Sequence, residues 1–331
     1  MSTKAPTIKD VARESSVSVA TVSRIVNGQP GYSAETLARV TAAIRRMGYT
    51  PNAVARGLVQ KRTHTIGVLL PTVTSKFASQ LLGGIEAEAH NHDYSAIICN
   101  TDRNGRRTAE YLRVLSEKQV EGLIFTSEFL TDEYEHLVEA MKVPMVLVST
   151  MSRRYPIPYV RVDDRQASYA ATRYLTERGH TQIGMVSGTA SDPIAGRPRV
   201  EGFLQALADS GLSSDESLIT YGDFHFDSGR KAARELLDRH PEVTAVFAAS
   251  DEMAVGALST AWERGLRVPE DLSVIGYDDT QDAQMSIPPL TAVHQPIAEM
   301  GSVAVRMLLE NSNQSRIMPF SITERHSVKT L

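Results

Sequence analysis

Cysteine is almost missing from this 331-residue chain. Cys99 stands alone, which excludes an intrachain disulfide and any zinc site built from cysteines. Long apolar runs are missing too: stretches such as 66–71 fall far short of the roughly 20 residues that cross a bilayer. Aromatic residues are few at 6%, so an aliphatic interior is expected, with the methionines and the lone Trp262 reading as core. The opening stretch MSTKAPTIKD has no apolar h-region, so a cytoplasmic protein without a secretory signal is expected. Catalytic signatures are absent as well. There is no GxSxG, HExxH, GxGxxG or GxxxxGK[ST], and the nine histidines are scattered. The acidic pairs Asp163-Asp164 and Asp278-Asp279 are adjacent residues, which rarely face one cleft, so capping or gripping a hydroxyl explains them better than a glycosidase pair. No catalytic residue, metal site or cofactor is expected. What remains is ordinary globular composition, 42% hydrophobic and 22% charged, long enough for two full-sized domains and a small module.

Net charge is only −4, but it is unevenly placed. Residues 1–62 carry ten basic and three acidic side chains, a net +7, and the remaining 269 residues carry −11. A small basic head on a large acidic body suggests that the head meets a polyanion. In that head, Thr7 precedes a periodic run of Ile8, Val11 and Ala12 and is a good N-cap. Ser18 caps a second helix over 19–26, with Val22, Ile25 and Val26 on one face and Asn27-Gly28 as its stop. Ser33 caps a third, with Thr36, Leu37, Val40, Ala43, Ile44 and Met47 inward and Gly48 at its end. Two short helices braced by a third form a helix-turn-helix. The outer face of the second helix is small or polar. Val19 and Ala20 suit thymine methyls, and Arg24 and Asn27 suit base edges or phosphates. A three-helix bundle with no ligand is the plainer alternative. Residues 52–58 read as a very short helix capped by Asn52, too short to stand alone in water. Leu58 among small alanines suits a minor-groove wedge, and an unstructured linker is the alternative there.

The stretches TIKDVARESSVSVATVSRIVNG and GYSAETLARVTAAIRRMGYTPNAVARGL closely resemble the DNA-binding head and hinge of the lactose-repressor/galactose-repressor family of bacterial transcription regulators. The resemblance implies that Val19 and Ala20 read bases, while Thr7, Ser18, Thr21, Ser23, Arg24 and Asn27 contact backbone or bases. It also implies that Leu58 pairs with its copy in a homodimer and opens a central base step, helped by Asn52 and Ala55. The expected organisation is a helix-turn-helix domain over 1–50, a hinge helix and linker over 51–64, and an effector-binding and dimerisation domain over 65–331.

From residue 65 the chain alternates between strand-type runs (66–71, 96–100, 122–127, 145–149, 159–162, 183–187, 245–250 and 272–277) and amphipathic helical stretches. Repeated β–α predicts an α/β body of two parallel-sheet lobes with a ligand cleft between them. The lobes are expected over about 65–162 plus 291–325, and about 163–290. The resemblance extends here through PEDLSVIGYDDT and SIPPLTAVHQP, implying a fold of periplasmic-binding-protein type. Candidate ligand residues sit at strand ends. Asp278 with Arg199 can grip neighbouring hydroxyls, Ser250 and Asp251 follow another strand, and Phe77 and Phe224 offer flat apolar faces. The resemblance implies that Phe77, Arg199, Phe224, Ser250 and Asp278 line an effector cleft. Ser250 departs from the Asn or Asp often found there, and Ser149 from the Asp of some members.

The expectation is a ligand-controlled repressor of a carbohydrate-utilisation operon, bound as a dimer to palindromic operator DNA and controlled by a sugar or sugar phosphate. It would be cytoplasmic and nucleoid-associated, with no membrane partner. A purine or a phosphorylated partner protein is the alternative controller. A sugar-binding transport protein fits less well, since it needs a signal peptide and no basic head.

Overall fold

The computed structural model describes residues 6–50, 62–102, 107–127, 130–152 and 154–331, in two compact units, 1–63 and 64–331. The proposed hinge helix, with Asn52, Ala55 and Leu58, lies outside the described residues.

In the first unit, α1 (Ile8–Glu14), α2 (Val19–Val26) and α3 (Ala34–Met47) each start at a hydroxyl cap. Thr7 Oγ1 accepts from the Asp10 amide at 3.4 Å while the Asp10 carboxylate accepts from the Thr7 amide at 2.9 Å, a reciprocal capping box. Ser18 and Ser33 accept from the amides of Thr21 (3.0 Å) and Thr36 (3.2 Å). Gly48 ends α3 with φ +63°, a left-handed conformation that glycine adopts without a steric penalty. Val11, Ala12, Val22, Val40 and Ala43 form the buried core. Leu37 corrects the expected inward face: it is 40% exposed, because the three-helix core closes around Val40 and Ala43 instead.

The second unit contains two six-stranded sheets. The first takes β1 (Thr65–Leu70), β2 (Ser95–Asn100), β3 (Gly122–Thr126), β4 (Met145–Val148) and β5 (Tyr159–Val162) in the order β2-β1-β3-β4-β5, all parallel. The second takes β6 (Ile183–Ser187), β7 (Ile219–Tyr221), β8 (Ala245–Ala248), β9 (Ser273–Asp278) and β10 (Thr291–His294) in the matching order β7-β6-β8-β9-β10, again parallel. The late strands β11 (Arg316–Met318) and β12 (Ser321–Thr323) add beside β5 in parallel and beside β10 antiparallel. Strands β3, β4, β6 and β8 are buried along their whole length, as continuous apolar runs in a covered parallel sheet should be.

Helices α4 (Lys76–Asn91), α5 (Thr108–Glu117) and α6 (Asp132–Met141) belong to the first lobe. Helices α8 (Gly196–Asp209), α9 (Phe226–Arg239), α10 (Asp251–Glu263) and the short α11 (Gln281–Met285) belong to the second. Two further helices cross over. α7 (Asp164–Thr176) leaves β5 and packs on α8, and α12 (Ile297–Leu309) leaves β10 and packs on α4. Both crossings close on glycine. A Cβ on Gly84 would lie 1.8 Å from the Ala298 carbonyl oxygen, and one on Gly202 would lie 2.1 Å from that of Arg165.

The expected assignment of 291–325 to the first lobe therefore needs correction. β10 and β12 hydrogen-bond into the second sheet, and the chain re-enters the first lobe only over α12 and β11. The missed strands β7, β10, β11 and β12 hold three or four residues each and, unlike the equally short β4 and β8, carry no run of four apolar residues. Trp262 is also corrected: it is 81% exposed, on the outward side of an α10 whose other faces are buried.

Candidate functional site

The first unit presents one small polar face. Val19 is 41% exposed, and Ser18, Ala20 and Arg24 are exposed beside it. Thr7 is exposed at the start of α1, and Thr21, Ser23 and Asn27 are half-buried. Ser18 Oγ is committed to the helix cap and lies 2.9 Å from Thr21 Oγ1. Asn27 Nδ2 donates to Ser23 Oγ at 3.3 Å, which fixes the side chain at the end of α2. The bulky residues of α2, Val22 and Ile25, point into the core, so the outward face can approach a groove closely.

The second unit holds a cavity of about 540 Å³ between its two sheets, at the carboxyl ends of the strands. Phe77, Arg199, Phe224, Ser250 and Asp278 all line it. The backbone is bent there. Ser127 and Ser149, just past β3 and β4, have φ of +52° and +51°, Phe224 has +69°, and Asp278 has +110°. Left-handed conformations at non-glycine residues carry strain, and these four residues all line the cleft.

Arg199 does not pair with Asp278 as the sequence suggested. Its guanidinium donates from Nε to Asp164 Oδ1 at 2.8 Å and from Nη1 to the Ala249 carbonyl, and stacks 3.7 Å from the centre of the Tyr277 ring. Tyr277 Oη donates to the same Asp164 oxygen at 2.9 Å. Burial works against the Arg199 charge, but Asp164, Tyr277 and Asp278 outweigh it, and its pKa stays above the ordinary value. Asp164 and Arg199 form a buried, hydrogen-bonded ion pair whose charges cancel at the cleft wall.

Asp278 accepts instead from Gln295 Nε2, at 2.7 Å on Oδ1. Burial pushes its carboxyl up to about 7, with Arg199 and Gln295 pulling the other way. Asp251 is pushed well above the carboxylate range, first by burial and then by Asp278. It accepts at Oδ2 from the Thr280 amide (2.6 Å) and hydroxyl (2.9 Å), and Oδ1 has no hydrogen-bond partner among the described residues. Asp279 turns away from the cavity and takes Arg325, Thr323 and His294. Ser250 caps α10, accepting from the Met253 amide at 3.2 Å, and its hydroxyl donates to the Phe224 carbonyl at 2.8 Å. It fixes the Phe224 turn and has no proton left for a ligand. The Phe224 ring lies against Gly188, where a Cβ would come within 1.9 Å of the ring. Across the cleft, Phe77 packs on the main apolar core, and Ser149 Oγ is buried without a hydrogen-bond partner among the described residues.

Sequence reasoning missed Asp164, Tyr277 and Gln295. Asp164 follows the end of β5 and opens α7, the same strand-end position that singled out the others, but beside Asp163 it read as a cap. Asp163 is indeed the cap, accepting from the Gln166 amide at 3.1 Å.

Residues 63–330 match the family described as periplasmic binding proteins and sugar binding domain of LacI family, and residues 7–52 match bacterial regulatory proteins, lacI family. Catabolite control protein A of Priestia megaterium is 41% identical over 329 residues, covering 98% of this chain and 99% of that protein. The lac repressor dimer bound to operator and the anti-inducer ONPF superposes with a TM-score of 0.89 at 30% identity, covering 98% of this chain and 100% of that one. The complex of the transcriptional regulator CelR with cellobiose gives a TM-score of 0.74 at 32% identity, covering 97% and 99%. These relatives are regulators, not enzymes. The chain belongs to the LacI family of bacterial regulatory proteins, DNA-binding transcriptional repressors that carry a sugar-binding domain.

Proposed function

We propose that this repressor is controlled by an uncharged sugar held in the interlobe cleft, and that the sugar regulates a carbohydrate-utilisation operon. The observation that carries this reading is the charge balance of the cleft. Among the described residues, seven acidic side chains (Asp164, Asp192, Asp223, Asp251, Glu252, Asp278 and Asp282) line it against two fixed cations, Arg199 and Lys76, with burial favouring the neutral forms of Asp251 and Asp278. Arg199 is already neutralised by Asp164, so among the described residues no free guanidinium lines the cleft for a phosphate. Asp278 keeps Oδ2 for a ligand hydroxyl while Gln295 holds Oδ1. Ser149 Oγ supplies a further donor from the opposite lobe, and Phe77 and Phe224 offer faces to the CH groups of a sugar ring. A ligand bridging the two lobes favours the closed cleft. By linkage, whatever closure does to operator affinity, the operator does in return to ligand affinity.

On the DNA side, the reading is a homodimer that places two α2 helices in successive major grooves. Val19 and Ala20 face the bases, Thr7, Ser18, Thr21, Ser23, Arg24 and Asn27 contact backbone or bases, and Leu58 pries the centre with Asn52 and Ala55. The test is operator binding by the full-length chain, titrated with neutral sugars and with their phosphates. A neutral sugar is expected to change operator affinity at concentrations where its phosphate does nothing. A response to the phosphate alone overturns the charge argument. Operator affinity should also fall steeply with salt, by about 0.9 in the log–log slope per phosphate neutralised. Leu58→Ala should weaken operator binding and leave sugar binding unchanged.

A further inference from the structure

We infer that the first lobe carries a second small-molecule site, separate from the interlobe cleft, which takes an organic cation: a primary ammonium with an apolar body. The site is a cavity of about 490 Å³ at the amino ends of β4 and β5, closed by the ends of α6 and α12. That volume lies within the range of small-ligand pockets and is close to that of the interlobe cleft. Apolar side chains make up much of the lining, among them Met145 and Met307.

One group in it is out of place. Glu135, on α6, is only 4% exposed, yet it lines this largely apolar cavity. Its Oε1 accepts from Ser152 Oγ at 3.0 Å, and Ser152 Oγ in turn accepts from the amides of Arg154 (3.2 Å) and Tyr155 (3.0 Å). The carboxylate is thereby anchored through Oε1. Its Oε2 is buried and has no hydrogen-bond partner among the described residues. A desolvated carboxylate oxygen without a donor is costly, and a charged donor relieves that cost better than a neutral one. The Tyr155 ring lines the same cavity and already has the Arg154 guanidinium 5.9 Å from its centre, a cation held by this aromatic face. The geometry matches a ligand whose ammonium head sits at the Glu135 side chain, engaging Oε2 once a small rotation of the carboxyl group turns it toward the cavity, and whose carbon chain lies against the two methionines.

The test uses the full-length chain labelled with ¹³C at the methionine methyl groups, titrated with n-pentylammonium and, as an uncharged isostere, 1-pentanol. The Met145 and Met307 methyl resonances should shift saturably with the amine, and the alcohol should bind about tenfold or more weakly. Glu135→Gln keeps the shape and removes the charge. It should weaken the amine by about tenfold or more, while the spectrum of the free variant reports whether it has folded. Glu252→Gln and Asp282→Asn alter acids of the interlobe cleft and should leave these shifts unchanged. Lys142→Ala, at the cavity rim, should not weaken binding. The inference fails if the two methyls do not respond to saturating amine, or if alcohol and amine bind alike. It also fails if Glu135→Gln binds normally, if a cleft variant abolishes the shifts, or if Lys142→Ala does.

Discussion

The two lobes are near copies in topology and opposites in chemistry. Their central strands run β2-β1-β3-β4-β5 and β7-β6-β8-β9-β10, and each receives a crossover helix from the other. Yet most of the charge at the cleft sits on one side. Among the described residues, the second lobe contributes the Arg199–Asp164 pair, Asp278, Asp251 and Glu252, while the first contributes hydroxyls, Phe77 and the single cation Lys76. Repeating a fold thus builds a clamp with matching jaws, and the side chains at the strand ends decide what each jaw does. The second lobe is suited to grip and orient, the first to close over the ligand and complete its hydrogen bonds.

This contrast can be broken at several points. The largest effect should come from Arg199→Met, which strands the buried Asp164 carboxylate. Such a loss costs about 3–5 kcal/mol, and urea unfolding of the full chain should show it. Next come the two helix crossings. Gly84→Ala in the first lobe and Gly202→Ala in the second each place a Cβ against a backbone carbonyl, at 1.8 and 2.1 Å. Each should destabilise its own lobe by about 1–3 kcal/mol, since backbone cannot yield as a side-chain tip does. If hydrogen exchange shows both lobes loosening together in either variant, the lobes are one cooperative unit rather than two.

Asp278→Asn sharpens the electrostatic side of the comparison. Burial raises the Asp278 carboxyl from 3.8 to about 7, so the folded chain keeps this proton to a higher pH than the unfolded chain. The stability tied to the protonated form is present below about 4 and is lost as pH rises to about 7. The variant has no proton to lose. Urea midpoints measured across this range should show the wild type falling relative to Asp278→Asn and then running level above about 7. Parallel curves would mean that Asp278 is ionised throughout. The sugar response should be lost in the same variant. The smallest effect concerns the two aromatic faces. Phe224→Ala should weaken sugar binding by about tenfold or less, and Phe77→Ala by less still, because only Phe224 adjoins Arg199, at 5.6 Å. Equal losses would mean that both jaws hold the ring alike.

Much of this was legible in the residues themselves. The hydroxyl caps at Thr7, Ser18 and Ser33 follow from local rules that need no tertiary partner, and so do the left-handed Gly48 and the buried strand runs. Leu37 and Trp262 were misjudged for one reason: periodicity marks a face as apolar but does not say how far the neighbouring element extends over it. Ser250 and Arg199 were found at the cleft, but not their bonds. Ser250 spends its proton on Phe224, and Arg199 turns to Asp164, 35 residues away along the chain. No spacing rule brings those groups together.

From composition and short-range pattern alone came a cationic three-helix reader, an alternating β–α body, and the strand ends where a ligand would sit. These depend on backbone geometry and on charge summed over a segment, both of which are local properties. The pairing of Arg199 with Asp164 depends on β5 having sent α7 into the second lobe, and the raised Asp278 carboxyl and the buried, half-satisfied Glu135 depend on which side chains meet inside each folded lobe. Desolvation and hydrogen bonding act through space, so only the folded chain could decide them.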